Sequence, residues 1–403
     1  MIKRPGVVAW GIALSTIVSV DRVVLALSRS RIAADLHLND ARMGLVFSAY
    51  ATAYAICEVP SGYLGDRFGP RRVLMRIAIW WTAFMAATTA AFSFASMYLT
   101  QLLFGAGQSG CFPNIARLFS QSMTQAQMVR AQGSIWLSAR WAGAFTPLVV
   151  AVLFRYLTWR QTFAALSILG VAWAIPFYRS SRGSALLAAQ HSVQPTARLW
   201  GVLVRSGTVR LLCGQYLALV FQWFFLITWA PTFIDERFHV GATESTILKV
   251  LPLFFGGIGA MISGTISGPL SRLLGLGTAR RAICCVGFAG ASAGLILAAA
   301  LQNPVAAVLA VSFSSLCNDL VMPVTWATAA DVGGNWSATV SAMMNMAGNA
   351  GGALYGLTAG FVLERTHHDW SAVLYMGAIV YLAGLPIWLA LDPVKRIGES
   401  TSR

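Results

Sequence analysis

Asp21 and Arg22 stand side by side inside a long apolar run near the start of the chain, and a second arginine, Arg140, interrupts another such run. At the centre of a membrane-crossing helix each such charge costs about 2.5–3.5 kcal/mol on insertion scales, so each needs a role that offsets the cost. A guanidinium presents a planar fork of donors that matches an oxyanion through parallel hydrogen bonds, which makes Arg22 and Arg140 candidate ligands for an anion. The intramembrane acids Asp21, Glu58 and Asp319 belong to a different chemistry. A carboxyl group that is neutral in one state and charged in another can carry a proton. A purely structural Asp21–Arg22 pair is disfavoured, because adjacent helix residues point about 100° apart and do not face each other. No nucleophile–base pair, metal-ligand cluster or phosphate-binding loop occurs at a readable spacing, so neither catalysis nor a metal or cofactor is expected.

The elements that must position these groups are helices. The chain has 403 residues, of which 57% are hydrophobic and only 11% charged. Soluble domains carry about 25% charged residues. Apolar stretches of about twenty residues recur along its length, as expected of a helical membrane protein with many spans. Twelve spans fit: 7–28, 43–65, 72–92, 96–118, 130–154, 160–178, 209–233, 246–270, 279–301, 304–328, 337–363 and 370–391. The polar connector 179–208 divides them six and six, so 1–178 and 209–403 are expected to form two bundles. The fold class expected is therefore all-α, with twelve transmembrane helices in two pseudo-symmetric six-helix bundles.

The net charge of +15 could suggest nucleic acid, but the basic residues gather in alternate loops and form no basic face. Placing both termini in the cytoplasm puts Lys3, Arg4, Arg67, Arg71, Arg72, Arg76, Arg117, Arg130, the connector arginines, Arg210, Arg272, Arg280, Arg281, Lys395, Arg396 and Arg403 on the inner side. Far fewer basic residues fall outside, which is the bias of inner loops. The six cysteines, Cys57, Cys111, Cys213, Cys284, Cys285 and Cys317, lie in apolar segments without metal-ligand spacing and read as small hydrophobes. The first apolar run lacks a convincing cleavage site and reads as a span.

The halves also resemble each other. "SGYLGDRFG" from Ser61 and "SGPLSRLLG" from Ser267 each end the second span of their half, and Phe112-Pro113 is echoed by Met322-Pro323. Parallel six-helix repeats are an architecture of transporters. The string "GYLGDRFGPRR" resembles the signature between spans 2 and 3 of the major facilitator superfamily. In it Gly62 allows close helix approach, Gly69-Pro70 makes the turn, and Asp66 can accept from arginines and from a neighbouring helix N-terminus. With Arg67, Arg71 and Arg72 it would form a cytoplasmic latch; Arg272 replaces the acid in the second copy.

Further strings, "GCFPNIARLFSQ", "RAQGSIWLSARWAGA", "TWRQTF", "WAPTFI" and "MMNMAGNAGGALYG", taken in order, resemble the anion:cation symporter family, which includes galactonate and hexuronate carriers and vesicular organic-anion carriers. The resemblance implies proton-coupled uptake of a small organic anion, a sugar acid or other carboxylate, by alternating access. It carries Arg22 over as the substrate-anion ligand. Tyr54, Trp326 and Asn345 match positions that complete the substrate site, with Arg140 where many sugar-acid relatives have an amide. Asp21 and Glu58 are the proton-coupling candidates, because Gln108 stands where the family usually has a second acid. Asn349 is expected to act as interhelical glue. The implied protein is a monomer of a bacterial inner membrane whose partners are an organic anion, protons and the bilayer. The alternatives weighed are an exporter of the same fold, disfavoured by the basic centre of span 5, and a non-transporting sensor, for which the central connector is too short to hold a soluble domain.

Overall fold

A computed structural model of the chain describes residues 5–181, 197–238 and 241–397. The described residues are helical nearly throughout, and each expected span falls on helix. The elements are α1 (Pro5–Leu27), the short α2 (Arg29–Asp35), α3 (Asp40–Phe68), α4 (Pro70–Thr88), α5 (Phe94–Gln108), α6 (Cys111–Ser122), α7 (Gln125–Tyr156) and α8 (Trp159–Ser181). They continue with α9 (Ala197–Arg205), α10 (Gly207–Phe224), a π-helical turn (Phe225–Trp229), α11 (Ala230–Phe238), α12 (Ala242–Leu274) and α13 (Leu276–Ala300). The last are α14 (Pro304–Gly333), a 3₁₀ turn (Gly334–Trp336), α15 (Ser337–Arg365) and α16 (Trp370–Ala390). Lys3, Arg4, Arg403 and half of the expected connector, including Arg182, lie outside the described residues.

Among the described residues eight stretches are long and apolar enough to cross a membrane, one of them (Pro304–Arg365) covering both α14 and α15. Side chains such as Ile168, Leu357, Ile379 and Leu389 stand more than 60% exposed around these helices. On a soluble protein a surface so rich in large apolar side chains would aggregate; lipid satisfies it. The helix α3 is not among these stretches; its apolar centre, 43–60, carries Glu58 and several small or hydroxylated residues.

Two expected spans are not continuous helices. The stretch 96–118 breaks between α5 and α6 at Ser109–Gly110, where Gly110 takes φ 73° and a β-carbon there would meet Ser61. Positive φ with no room for a side chain is a place only glycine fills cheaply. The stretch 209–233 passes through the π turn, which starts two residues after Trp223. The connector ends in α9, whose Leu203 is buried.

The two glycines that end the repeated strings behave alike: Gly69 has φ 86° and ψ 144°, Gly275 φ 80° and ψ 154°. This is a conformational trace of the repeat seen in sequence. The chain clusters into two compact units. One comprises 5–122, 142–181 and 335–342; the other comprises 123–141, 197–334 and 343–397. In the first, α3 packs on α5 and α4 packs on α5 and α8; in the second, α14 lies against α12 and α13, with α16 on α13. Arg160 of "TWRQTF" clamps the start of α8. It donates to the carbonyls of Thr89 (3.0 Å) and Ala91 (2.7 Å) and pairs with Asp35. That pairing holds the Asp35 carboxyl below the usual carboxylate range.

Helices in lipid gain little from the hydrophobic effect against each other, so close contact of small residues does much of the packing. Along α12, Gly259 lies so near the Leu316 carbonyl of α14 that an added β-carbon would fall against rigid backbone. Gly259→Val is expected to destabilise the protein by about 1–3 kcal/mol. The check is its melting temperature in detergent beside Gly268→Ala, whose β-carbon would meet nothing within 4 Å.

Candidate functional site

In the first unit Arg22 projects from α1 and is only partly buried. Its Nε donates to Gln108 Oε1 at 3.0 Å, and the same oxygen accepts from Tyr50 Oη at 2.5 Å. The guanidinium lies over the Tyr54 ring, 4.5 Å from its centroid, and 5.8 Å from that of Phe112. Three buried donors in this cluster make no hydrogen bond: Arg22 Nη2, Tyr54 Oη and Gln108 Nε2. An unmet buried polar group costs about 1–3 kcal/mol, more when charged, so three together single this cluster out as a candidate binding site. Because both hydrogen bonds to Gln108 land on its oxygen, the amide nitrogen is left as a pure donor.

The backbone break beside this cluster has a use. It frees the Gly110 N–H, which donates to Glu58 Oε2 at 3.3 Å; the Ser109 carbonyl, left free by Pro113, accepts from Ser61 Oγ at 2.9 Å. Glu58 is fully buried and lies within electrostatic reach of Arg22 and Tyr54. Asp21, on another face of α1, is also buried; Trp81 is beside it, and neither of its carboxylate oxygens makes a hydrogen bond. Of the residues expected from sequence, the first unit thus brings together Arg22, Tyr54, Gln108 and Glu58, and adds Tyr50 and Phe112.

The second unit holds Arg140, Trp326 and Asn345. Arg140 of α7 forms a buried two-pronged pair with Asp319 of α14, Nε to Oδ2 at 2.6 Å and Nη2 to Oδ1 at 2.8 Å. Its guanidinium lies 3.3 Å from the ring centroid of Trp223 and 5.3 Å from that of Trp136. Trp326 is buried, donates to Tyr216 Oη at 3.0 Å, and lies 5.6 Å from Trp136, ring to ring. Asn345 is half-buried on α15. Four residues on, Asn349 has a buried amide nitrogen without a hydrogen bond. The glycines of the same string serve packing: β-carbons at Gly348, Gly351 and Gly352 would strike Tyr216, Leu217 and Phe224 of α10.

The "GYLGDRFGPRR" string makes a lock on the start of α15. Asp66 accepts from Ala338 N (3.1 Å), Thr339 N (2.7 Å) and Thr339 Oγ1 (2.7 Å). A carboxylate at a helix N-terminus meets unpaired N–H groups and the positive end of the helix dipole. The arginine beside Asp66 is not one from the string but Arg117 of α6, at 3.3 Å, which also donates to Ser337 Oγ at 3.1 Å. Gly62 lets α3 approach Ala338 and Ala342. Of the string's own basic residues, Arg71 binds Ser181 Oγ (2.6 Å) and the Tyr178 carbonyl on α8, while Arg67 and Arg72 are exposed. Arg117 carried no signal in sequence beyond its charge at an inner loop, and Asp319 none that named its partner 179 residues away.

Replacing Asp66 by Asn removes the negative charge that faces Arg117 and one of the two oxygens that cap the start of α15. Asp66→Asn is expected to lower stability by about 3–5 kcal/mol, and adding Arg117→Gln is expected to recover part of the loss. Thermal unfolding of the two variants in detergent checks this.

The Major Facilitator Superfamily profile matches residues 11–356. A protein of Cupriavidus necator named "Probable sulfoacetate transporter SauU" is 27% identical, over 94% of this chain and 93% of its own length. The hexuronate transporter of Bacillus subtilis is 24% identical over 93% and 91% of the two chains. The crystal structure of the transporter FucP in its outward conformation superposes with a TM-score of 0.78, over 95% of this chain and 98% of that one, at 13% identity; that likeness concerns the fold alone.

Proposed function

Because the chain belongs to the Major Facilitator Superfamily, a family of membrane transporters and not of enzymes, we propose that it imports a small organic anion together with protons by alternating access. In this reading twelve helices cross a bacterial inner membrane as two six-helix bundles joined by a cytoplasmic connector. Both termini are cytoplasmic, and the protein works as a monomer. The relatives bearing the names sulfoacetate, hexuronate and D-galactonate transporter all handle organic anions, which supports the substrate class.

The observation that carries the reading is the donor cluster on Arg22. A guanidinium flanked by an amide nitrogen and a phenol hydroxyl, all three with donors unspent, offers an anion a charge-assisted fork and one or two further hydrogen bonds. The cation is kept in place by Gln108 Oε1 and the Tyr54 face rather than by an ion pair, so an incoming oxyanion does not have to displace a carboxylate from it. Glu58, within electrostatic reach, supplies the proton linkage in this account. Ionised, it competes electrostatically with the substrate for the field of Arg22; protonated, it does not, so proton and anion favour each other's binding. Asp21 is a second site for a proton, buried where an ionised carboxylate has no hydrogen bond to hold it. Gln108 cannot titrate and acts as a donor only.

The test is uptake into proteoliposomes of sulfoacetate, D-galactonate and a hexuronate, with the outer side more acidic. At least one is expected to accumulate. Arg22→Ala is expected to abolish accumulation and to weaken anion binding by about 30-fold or more, about 2 kcal/mol, while the protein elutes and melts as a folded species. Undiminished uptake by that variant would remove the basis of the reading.

A further inference from the structure

We propose that Asp319 is an internal stand-in for the substrate: its carboxylate occupies the fork of Arg140 in the empty carrier, and a proton taken up by Asp319 vacates the fork for an anion. The inference rests on the reading that the chain carries an anion with a proton, and it adds a coupling residue in the second unit.

The pair has the geometry of a bound oxyanion. Two parallel bonds of 2.6 and 2.8 Å are what an arginine makes with a substrate carboxylate. The residues lie mid-helix, on α7 and α14, where no helix terminus supplies other partners. Oδ1 is further fixed by Asn318 Nδ2 at 3.1 Å, and Asn318 is itself oriented by Tyr381 Oη at 3.0 Å from α16. Oδ2 accepts from Arg140 Nε alone among the hydrogen bonds at this site.

Next to Oδ2 is the group that a neutral acid needs. Ser315 Oγ, one helical turn earlier on α14, is buried and has no hydrogen bond. Both atoms border Gly256 of α12, where an added β-carbon would lie 2.5 Å from Asp319 Oδ2 and 2.9 Å from Ser315 Oγ. The uncommitted hydroxyl that borders the same glycine as Oδ2 is therefore the candidate acceptor for a proton on Oδ2, reached by a change of the Ser315 rotamer. The guanidinium, once released, remains on the rings of Trp223 and Trp136, which hold a cation without neutralising it. The two faces of the fork are thus provided for in both states.

A purely structural staple accounts for less. A buried ion pair seldom stabilises a fold more than well-packed apolar side chains of the same volume would. The helices α7 and α14 are already joined through the Trp136 and Trp326 rings. The titratable and charged groups around Asp319 are few: Arg140 from α7, Tyr381 from α16 and Cys317 on α14 itself. From α10 comes Trp223; α12 presents Gly256, and α13 presents Gly287 and Gly290 toward α14. Arg140 is the one group here that carries a fixed charge, so the ionisation of Asp319 is read directly by the fork.

The experiment uses the full chain in liposomes and an anion found to be transported. Exchange of labelled for unlabelled anion at equal pH needs no net proton movement; accumulation under an imposed pH gradient does. Asp319→Asn is expected to keep exchange within about threefold of the unaltered protein and to lose at least about tenfold in accumulation. Its anion affinity is expected to lose the part of the pH dependence that Asp319 supplies. Ser315→Ala leaves the ion pair intact and removes only the acceptor of the neutral acid. It is expected to shift the fall in affinity to lower pH by about 0.5–1 unit, and so tests the proposal even if Asp319→Asn fails to fold. Accumulation by Asp319→Asn equal to that of the unaltered protein would overturn the proposal, as would an unshifted profile for Ser315→Ala. So would full recovery of accumulation in Arg140→Gln/Asp319→Asn, the behaviour of a staple. Absence of exchange by the unaltered protein with any organic anion would instead overturn the uptake reading itself, and this inference with it.

Discussion

A guanidinium cannot be buried among apolar helices without something to meet its charge, and the way each buried arginine is met organises this protein. Arg117 is met by Asp66, Arg140 by Asp319 and Arg280 by Asp331. Arg22 is handled differently: its bonded partner is the neutral Gln108 amide, and an aromatic face lies beneath it. The desolvation of a charge in a low-dielectric interior amounts to several kcal/mol even after relaxation. That part of it is left unanswered at Arg22, with two further donors idle beside it, is what supports the proposed anion site.

The backbone is fitted to the same purpose. A continuous helix over 96–118 would have kept the Gly110 N–H within its own ladder, while Pro113 leaves the Ser109 carbonyl free. The break at positive φ turns both outward, to Glu58 and Ser61 on α3. A buried acid is thereby held within electrostatic reach of Arg22. At the far end of α3, Asp66 spends its acceptor capacity on the first turn of α15 and on Arg117, so one helix carries both a binding-site residue and a lock. A change in the tilt of α3 would be felt at both ends, since helices are stiff elements on the scale of their own length. The tail is tied in a comparable way: Arg280 donates to the Pro393 carbonyl at 2.9 Å, and Ile397 N to the Val332 carbonyl at 3.0 Å.

Much of this was readable from the chain. Helices arise where apolar runs of bilayer length occur, and the glycine turns at 69 and 275 sit where the repeated strings end. Asp66 was readable as an acceptor for a helix N-terminus because its string is long and specific. Arg22 stood out because a charge in an apolar run is costly. What could not be read were pairings across helices. Asp319 and Arg140 are 179 positions apart, and nothing local in "LCNDLVMP" says which of several basic residues it meets. The same holds for Arg117, whose place in "NIARLF" looks like any inner-loop arginine. The break at Ser109–Gly110 was not read, although Gly110 and Pro113, whose missing N–H leaves the Ser109 carbonyl free, mark it locally; the partner that takes this carbonyl, Ser61 of another helix, is not visible in the run.

The central claim is that Arg22, Tyr54 and Gln108 form an anion site. The measurement that tests it most directly is an experimental structure of the protein with a transported anion bound. The account predicts oxyanion oxygens within hydrogen-bond distance, about 2.7–3.2 Å, of Arg22 Nη2 and of at least one of Tyr54 Oη and Gln108 Nε2. An anion held elsewhere, with these three donors still unmet, would contradict it.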